Sequence, residues 1–246
     1  MITMRRAGDR QHEQRRNQQS WLMFGPDAAP APRFSAIDIF SEHLLPPSTS
    51  VGHPHRDAEV VTYVREGALA FEDSSGRAGI IHAGEFQRLT AGGGLRHRET
   101  NASQSEWAHV FQVWLRPVKV EREAGREQKR FSAAERRGVL CTIASPDGRR
   151  GSLRLQQDAL IFSAILDSGQ HLIHELSEER SAWLHLVAGE LTLGDLVLIA
   201  GDGARVTAER AVSFTAKVRT EVLLLDLGPP PPSPSGDETQ APRRAN

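Results

Sequence analysis

Two short segments carry side chains that bind metal ions. In the first, His53 and His55 are separated by one residue, and in the second His97 and Glu99 have the same spacing. Residues i and i+2 of a β-strand face the same side, so each pair is expected to point in one direction. If the two strands are neighbours in one barrel, three imidazoles and one carboxylate converge on one interior point. Such nitrogen and oxygen ligands suit a divalent Fe, Mn, Ni, Cu or Zn ion.

A second glutamate competes for the carboxylate position. Glu59 is separated from His53 and from His55 by an even number of positions. In one continuous strand it would therefore face the same side as both histidines. The spacing alone leaves Glu59 and Glu99 open as the fourth ligand. A site with one carboxylate keeps coordination positions for an oxygen-bearing substrate and for dioxygen.

The composition excludes several other classes of site and partner. The 246 residues include ten histidines but a single cysteine, Cys141, which excludes an internal disulfide and a cysteine-rich zinc site. The 30 basic and 31 acidic side chains nearly cancel, so we expect neither nucleic acid nor a membrane surface as a partner. Residues 1–20 lack the apolar core of a signal peptide, and no run of eighteen apolar residues occurs, so we expect a cytoplasmic location.

Short strand-like segments bounded by turn residues dominate the pattern. Residues 60–64, 110–115 and 221–225 are brief and rich in β-branched or aromatic side chains, and glycines such as Gly67 follow them. This pattern predicts an all-β sandwich or barrel. The charge-rich residues 118–137 have no apolar face and predict a linker with one helical turn. The proline-rich residues 229–246 predict a disordered tail.

An internal repeat predicts two β domains of similar build. Residues 83–91 align with 200–208, and residues 63–71 align with 185–193, with the glycines kept in both matches. The predicted domains are residues 1–125 and 126–228.

The repeat also predicts a single metal site. When the two halves of the repeat are aligned, His97 and Glu99 correspond to positions near Phe214 and Ala216, whose side chains offer no ligand atom. His53 and His55 fall near residues 175 and 177, with only His174 close by. The other histidines are interpreted without a ligand role: His171 and His174 as surface residues, His82 and His109 as strand residues in packing, and His12 and His43 as solvated residues of irregular segments.

The motifs together resemble the pirin family of the cupin superfamily. The first half carries the segments HPHRDAEVVTYVREG at 53–67, DSSG at 73–76, AGEFQR at 83–88, HRETN at 97–101 and QVW at 112–114. Downstream, SPDG at 145–148 and VLLLDL at 222–227 also fit. The segment after Trp21 and Leu22 is shorter than is usual in the family, so the resemblance leaves the shape of the substrate cavity and the flavonol specificity open.

The resemblance implies a fold and a ligand set. The fold is an all-β bicupin of two tandem double-stranded β-helix (jelly-roll) barrels, with one metal site in the N-terminal domain. Its implied ligands are His53, His55, His97 and Glu99, and Glu59 then lies beside them or faces the substrate. Iron is the expected metal, with Ni, Mn, Co, Cu or Zn as alternatives.

The resemblance also implies two functions. Bacterial relatives act as quercetin 2,3-dioxygenases, which implies a flavonol-like substrate, dioxygen, and Glu99, or in second place Glu59, as the base that accepts the flavonol hydroxyl proton. Eukaryotic pirins are iron-binding transcriptional co-regulators. They imply the alternative, a non-enzymatic metal protein with a transcription factor or an enzyme as partner. The chain is expected to be a monomer.

Overall fold

A computed structural model describes residues 1–15, 18–25, 34–55, 58–92, 94–116 and 124–229, with residues 51–55 described by their backbone alone. The described residues form twenty-two β-strands and two single-turn 3-10 helices, Ala7–Asp9 and Arg149–Gly151. None of the helices in these ranges is long and apolar enough to cross a membrane. The predicted all-β class is confirmed.

Twelve strands lie in the first half of the chain. They are β1 (Ile2–Arg5), β2 (Gln11–Arg15), β3 (Gln18–Phe24), β4 (Ile37–Leu45), β5 (Ser50–His55), β6 (Glu59–Glu66), β7 (Ala68–Asp73), β8 (Ala78–His82), β9 (Glu85–Thr90), β10 (Leu95–Asn101), β11 (Ala108–Leu115) and β12 (Gly125–Arg130).

Ten more strands follow in the second half. They are β13 (Cys141–Ser145), β14 (Leu153–Arg154), β15 (Ala159–Leu166), β16 (His171–Glu175), β17 (Ser181–Ala188), β18 (Glu190–Leu193), β19 (Leu196–Ile199), β20 (Gly203–Thr207), β21 (Ala211–Ala216) and β22 (Thr220–Leu227).

The strands form two barrels, each built from a seven-stranded and a four-stranded sheet. In the N-terminal barrel the orders are β12-β9-β6-β11-β4-β3-β2 and β5-β10-β7-β8. In the C-terminal barrel they are β1-β20-β17-β22-β15-β13-β14 and β16-β21-β18-β19. The two four-stranded sheets have the same order of corresponding strands, so the internal repeat read from the sequence is a repeat of structure.

Each barrel contains an edge strand that lies, in sequence, beside the strands of the other barrel. Strand β1 pairs with β20 of the C-terminal barrel, and β12 pairs with β9 of the N-terminal barrel. The linker prediction is wrong for residues 125–130, which form β12. Charged side chains are common on edge strands, because one side of such a strand faces solvent, so a charge-rich segment can still be a strand. The tail predicted to be disordered lies outside the described residues from residue 230 onward.

Among the described residues, the largest apolar cluster lies between the barrels. It joins Phe40 and Phe111 of the N-terminal barrel to Trp183 and Leu225 of the C-terminal barrel. At its edge, Tyr63 Oη donates to Glu221 Oε1 at 2.5 Å. Arg136 donates to the same two oxygens at 3.0 and 2.9 Å. Apolar burial and this charged group together hold the two barrels in contact.

Candidate metal centre

Strand β10 directs its odd-numbered side chains into the N-terminal barrel. Leu95, His97 and Glu99 are buried, whereas Arg96 and Arg98 between them are exposed. This alternation follows from the two-residue period of a strand with one face on the core. The sequence spacing therefore predicted correctly that His97 and Glu99 share a face.

The imidazole of His97 and the carboxylate of Glu99 lie within contact distance. His97 Nε2 is 3.3 Å from Glu99 Oε1, and the side chains are 2% and 6% exposed. A buried nitrogen and a buried carboxylate oxygen at this separation are a donor pair of the kind that holds a divalent transition metal. The residues present therefore fit such an ion at this point of the barrel.

Gln112, on β11 of the opposite, seven-stranded sheet, fixes the Glu99 carboxylate. Its Nε2 donates to Glu99 Oε2 at 2.8 Å and to Oε1 at 3.1 Å, and it lies 3.4 Å from Thr62 Oγ1. Gln112 is 2% exposed. Groups that hold a ligating carboxylate in orientation tune the affinity of a site for its metal. The sequence analysis gave Gln112 no role, although an amide inside the otherwise apolar strand VFQVWL was a usable signal.

Strand β5 pairs with β10 in a register that bears on the other two predicted ligands. The backbone of His53 lies directly opposite His97, and that of His55 opposite Leu95. The side chains of both histidines lie outside the described part of the structure. Within the described part, no group of three or more His, Cys, Asp or Glu side chains comes together in a metal-binding arrangement.

Glu59, the other carboxylate that the sequence offers, contacts the C-terminal half of the chain. It begins β6, in a different sheet from β5, so the parity counted through residue 55 does not continue to it. Along β6, Glu59 lies on the same face as Val61 and Tyr63, which belong to the cluster between the barrels. Its carboxylate accepts the backbone N–H of Gln156 at 2.9 and 3.1 Å. Glu59 therefore links the two barrels.

A buried arginine adds positive charge near the centre. Arg126 of β12 donates to Asp73 Oδ2 at 3.2 Å, and its guanidinium lies 3.9 Å from the centroid of the Phe71 ring. Burial acts to raise the pKa of Asp73, but hydrogen bonds from Ser75, Arg77 and Arg126 outweigh it and lower that pKa below its ordinary value. Asp73 lies opposite His97 in the β7–β10 ladder.

A cavity of about 540 Å³ opens on the inner face of the large N-terminal sheet. Gln112 lines it, so the residue that orients Glu99 also faces the cavity. The other lining residues come from β2, β3, β4, β5 and β11: Glu13, Arg15, Gln18, Ser20, Leu22, Ile39, Ser41, His43, Ser50 and Trp114.

Two histidines predicted to be solvated in irregular segments lie on strands instead. His43 is on β4 and lines the cavity, and His12 is on β2 and stacks on Trp21 with ring centroids 5.0 Å apart. His12 is exposed as predicted. The expectation of an irregular segment failed for His43 because residues 37–45 mix charged and apolar side chains in a way that hides their strand character.

The C-terminal barrel has apolar residues at three of the four equivalent positions. Phe214 and Ala216 of β21 are buried in the apolar core of that barrel, together with Leu191 and Leu193 of β18. Phe214 pairs with Leu172, and Val212 with His174, in the register by which His97 pairs with His53 and Leu95 with His55. His174 is therefore the counterpart of His55, and its Nε2 contacts Asp226 Oδ2 at 2.8 Å.

Comparison with known proteins decides the family. The Pirin family model matches residues 3–115, and the model of the quercetinase C-terminal cupin domain matches residues 142–227. A quercetin 2,3-dioxygenase of Escherichia coli is 34% identical over 233 residues, covering 93% of this chain and 100% of the relative. The chain belongs to the pirin family.

A solved structure and a further relative agree with this assignment. The bacterial pirin YhhW of Escherichia coli in complex with nickel(II) superposes with a TM-score of 0.85 at 34% identity, covering 94% of this chain and all of that one. A pirin-like protein of Caulobacter vibrioides is 32% identical over 195 residues, covering 78% of this chain and 84% of the relative. The fold of this pirin is accordingly a bicupin, as the sequence motifs implied.

Proposed function

We propose that this pirin is a metal-dependent quercetin 2,3-dioxygenase that opens a flavonol ring with dioxygen. The observation that carries the proposal is the position of Gln112, which holds Glu99 beside His97 and also lines the cavity. A metal held by His97 and Glu99 would then lie close to Gln112, which lines a cavity large enough for a small molecule. The 34% identical quercetin 2,3-dioxygenase supports the choice of substrate.

We further propose His53, His55, His97 and Glu99 as the ligands of one divalent metal. The backbone register of His53 opposite His97 supports a shared face, because directly paired residues of an antiparallel ladder have Cβ atoms about 5 Å apart. Three neutral imidazoles and one carboxylate leave a site of net positive charge with a divalent ion. The nickel(II) complex of YhhW supports nickel as a competent metal, and iron is the alternative.

The protein residues have distinct tasks in this proposal. When bound, the metal supplies Lewis-acid polarisation of a flavonol oxygen. Gln112 keeps both Glu99 oxygens engaged, so the carboxylate stays oriented while the substrate enters. Glu99 accepts the proton of the flavonol hydroxyl through a lone pair that the Gln112 hydrogen bonds leave available. The apolar lining from Leu22, Ile39 and Trp114 packs against the aromatic rings and excludes water.

Turnover of quercetin tests this function. The purified chain is loaded separately with Fe, Ni, Mn, Co, Cu or Zn and mixed with quercetin in air, and carbon monoxide release is followed with the loss of flavonol absorbance. We expect release with at least one metal and none from a Glu99→Gln variant. Absence of carbon monoxide with every metal would refute the dioxygenase. The proposed location of this reaction is the cytoplasm.

A further inference from the structure

Four side chains on β3 and β4 form a hydrogen-bonded row along one wall of the cavity. His43 lies between two serines, with Nδ1 2.9 Å from Ser20 Oγ and Nε2 2.8 Å from Ser41 Oγ. Gln18 Nε2 extends the row by donating to Ser20 Oγ at 3.3 Å. All four residues line the cavity. None of them belongs to the proposed ligand set.

Each serine hydroxyl of the row can act as a hydrogen-bond donor or as an acceptor toward a ligand. A neutral imidazole carries one N–H, so one serine hydroxyl donates to the ring while the other accepts from it. Exchange between the two tautomers reverses these roles without moving a heavy atom. The serines therefore offer a donor or an acceptor as required, which suits a ligand hydroxyl because that group also donates and accepts.

The other walls limit what kind of molecule carries these hydroxyls. Leu22, Ile39 and Trp114 give the cavity an apolar surface suited to flat rings. Glu13 and Arg15 also line it, as an exposed pair of opposite charge with 3.8 Å between Oε2 and Nη2, so this pair adds no net charge. The lining matches an uncharged aromatic molecule with several hydroxyl groups.

The row also has a direction relative to the candidate metal centre. Ser41 pairs with Gln112 in the β4–β11 ladder, and Gln112 holds Glu99. From Ser41 the row runs through His43 to Ser20 and then to Gln18, which starts the strand paired with β2. A ligand anchored beside Gln112 therefore extends its far end along this row.

We infer that the Ser20–His43–Ser41 row is a specificity-determining subsite, which binds hydroxyl groups on the part of a polyhydroxylated aromatic substrate remote from the metal centre. The inference rests on the proposed function for the identity of the anchored end. It assigns His43 as a positioning residue, which holds the two serine hydroxyls in place for the substrate.

Equilibrium binding of two flavonols tests the subsite. Quercetin carries hydroxyls on its outer rings, whereas 3-hydroxyflavone has the same core with the 3-hydroxyl alone. Each is titrated under anaerobic conditions into the nickel-loaded full chain, so that binding is measured without turnover. The variants are His43→Leu, Ser41→Ala as a milder change, and His82→Leu as a control at an exposed histidine on β8. Circular dichroism and the nickel content verify that each variant is folded and loaded.

The expected result is a loss of discrimination. The wild-type chain binds quercetin more tightly than 3-hydroxyflavone. His43→Leu weakens quercetin binding about tenfold, because both serine hydroxyls lose the imidazole that holds them in place. It changes 3-hydroxyflavone binding less than about twofold, Ser41→Ala shows a smaller effect of the same kind, and His82→Leu shows none. Equal weakening of both flavonols, or no change in either, would overturn the subsite.

This outcome is separable from the test of the proposed function. Discrimination between the flavonols without carbon monoxide release would keep the subsite and reject the dioxygenase. Carbon monoxide release with no discrimination at His43 would keep the dioxygenase and reject the subsite.

Discussion

Gln112 donates its side-chain amide to both oxygens of the Glu99 carboxylate, at 2.8 and 3.1 Å, from a strand in the opposite sheet of the barrel. The contact crosses the barrel interior, so it ties the orientation of Glu99 to the large sheet that carries the cavity. Both residues are buried, and a buried carboxylate that loses its donors pays a desolvation penalty.

Replacing Gln112 is expected to weaken metal binding with little effect on the fold. Gln112→Leu keeps a side chain of similar size but removes the donor, so the affinity for nickel(II) falls about 10- to 100-fold. Competition with a chelator of known affinity measures this. Gln157→Leu is the matched control, because Gln157 is equally buried but lies in the C-terminal half, between β14 and β15. An equal loss in both variants would contradict the role of Gln112.

His185 is expected to make the protein less stable in acid. It is fully buried against Phe40 and Phe111, and neither ring nitrogen has a hydrogen-bond partner among the described residues. Burial lowers the pKa of His185 to about 4; Glu42 and Asp202 oppose this shift, while Arg10 and His109 add to it. The unfolded chain then binds a proton between pH 6.5 and 4 that the folded chain excludes, so stability falls as the pH drops through this window.

Urea denaturation at pH 7 and pH 4.5 measures the contribution of His185. The free energy of unfolding falls by about 2 kcal/mol more in the wild-type chain than in His185→Leu, because the variant lacks the titrating group. His82→Leu, at an exposed histidine, keeps the wild-type dependence. The same pH dependence in wild type and His185→Leu would show that burial of this imidazole has no such cost.

Gly67 and Gly76 form a matched pair for a test of the β6–β7 turn. Both have positive φ, +77° and +83°, but a Cβ at Gly67 would lie 2.6 Å from the carbonyl oxygen of Trp107, whereas a Cβ at Gly76 meets nothing within 4 Å. We expect Gly76→Ala to cost about 1 to 2 kcal/mol from the left-handed backbone alone. Gly67→Ala costs more, and a thermal melt ranks the two. Equal losses of stability in the two variants would mean that the backbone of residues 107 and 108 moves to accommodate the added methyl group.

Arg136 is expected to contribute more to the barrel interface than Arg65, although both donate to Glu221. The Arg136 side chain is 5% exposed and also donates to Tyr63, whereas that of Arg65 is 25% exposed. Arg136→Met leaves Glu221 and Tyr63 without their buried cation and costs about 3 kcal/mol or more. Arg65→Met costs about 1 kcal/mol or less. Urea denaturation compares them, and a larger loss for Arg65→Met would reverse this assignment.

The sequence was informative where local periodicity decides the structure. The shared face of His97 and Glu99 follows from the period of one strand, and the matching glycines Gly67 and Gly189 identified the repeat because each lies at the same sharp turn with positive φ. Phe214 and Ala216 marked the second barrel as apolar at the equivalent positions.

Features that depend on pairing between strands distant in the sequence could not be predicted in this way. Counting Glu59 on the same face as His53 and His55 assumed one continuous strand, whereas Glu59 begins a strand of the other sheet. The exchange of β1 and β12 between barrels depends on free sheet edges, which no spacing within the chain reports. His43 and Gln112 gained their positions only when β4 and β11 paired.

The metal content of the purified chain tests the central claim most directly. The chain, loaded with nickel(II) or iron(II) and freed of excess metal, is analysed for metal per polypeptide beside His53→Ala and His97→Ala. The single-site account predicts a value near one for wild type and near zero for both variants. A wild-type value near two, or retention of the metal in both variants, would contradict it.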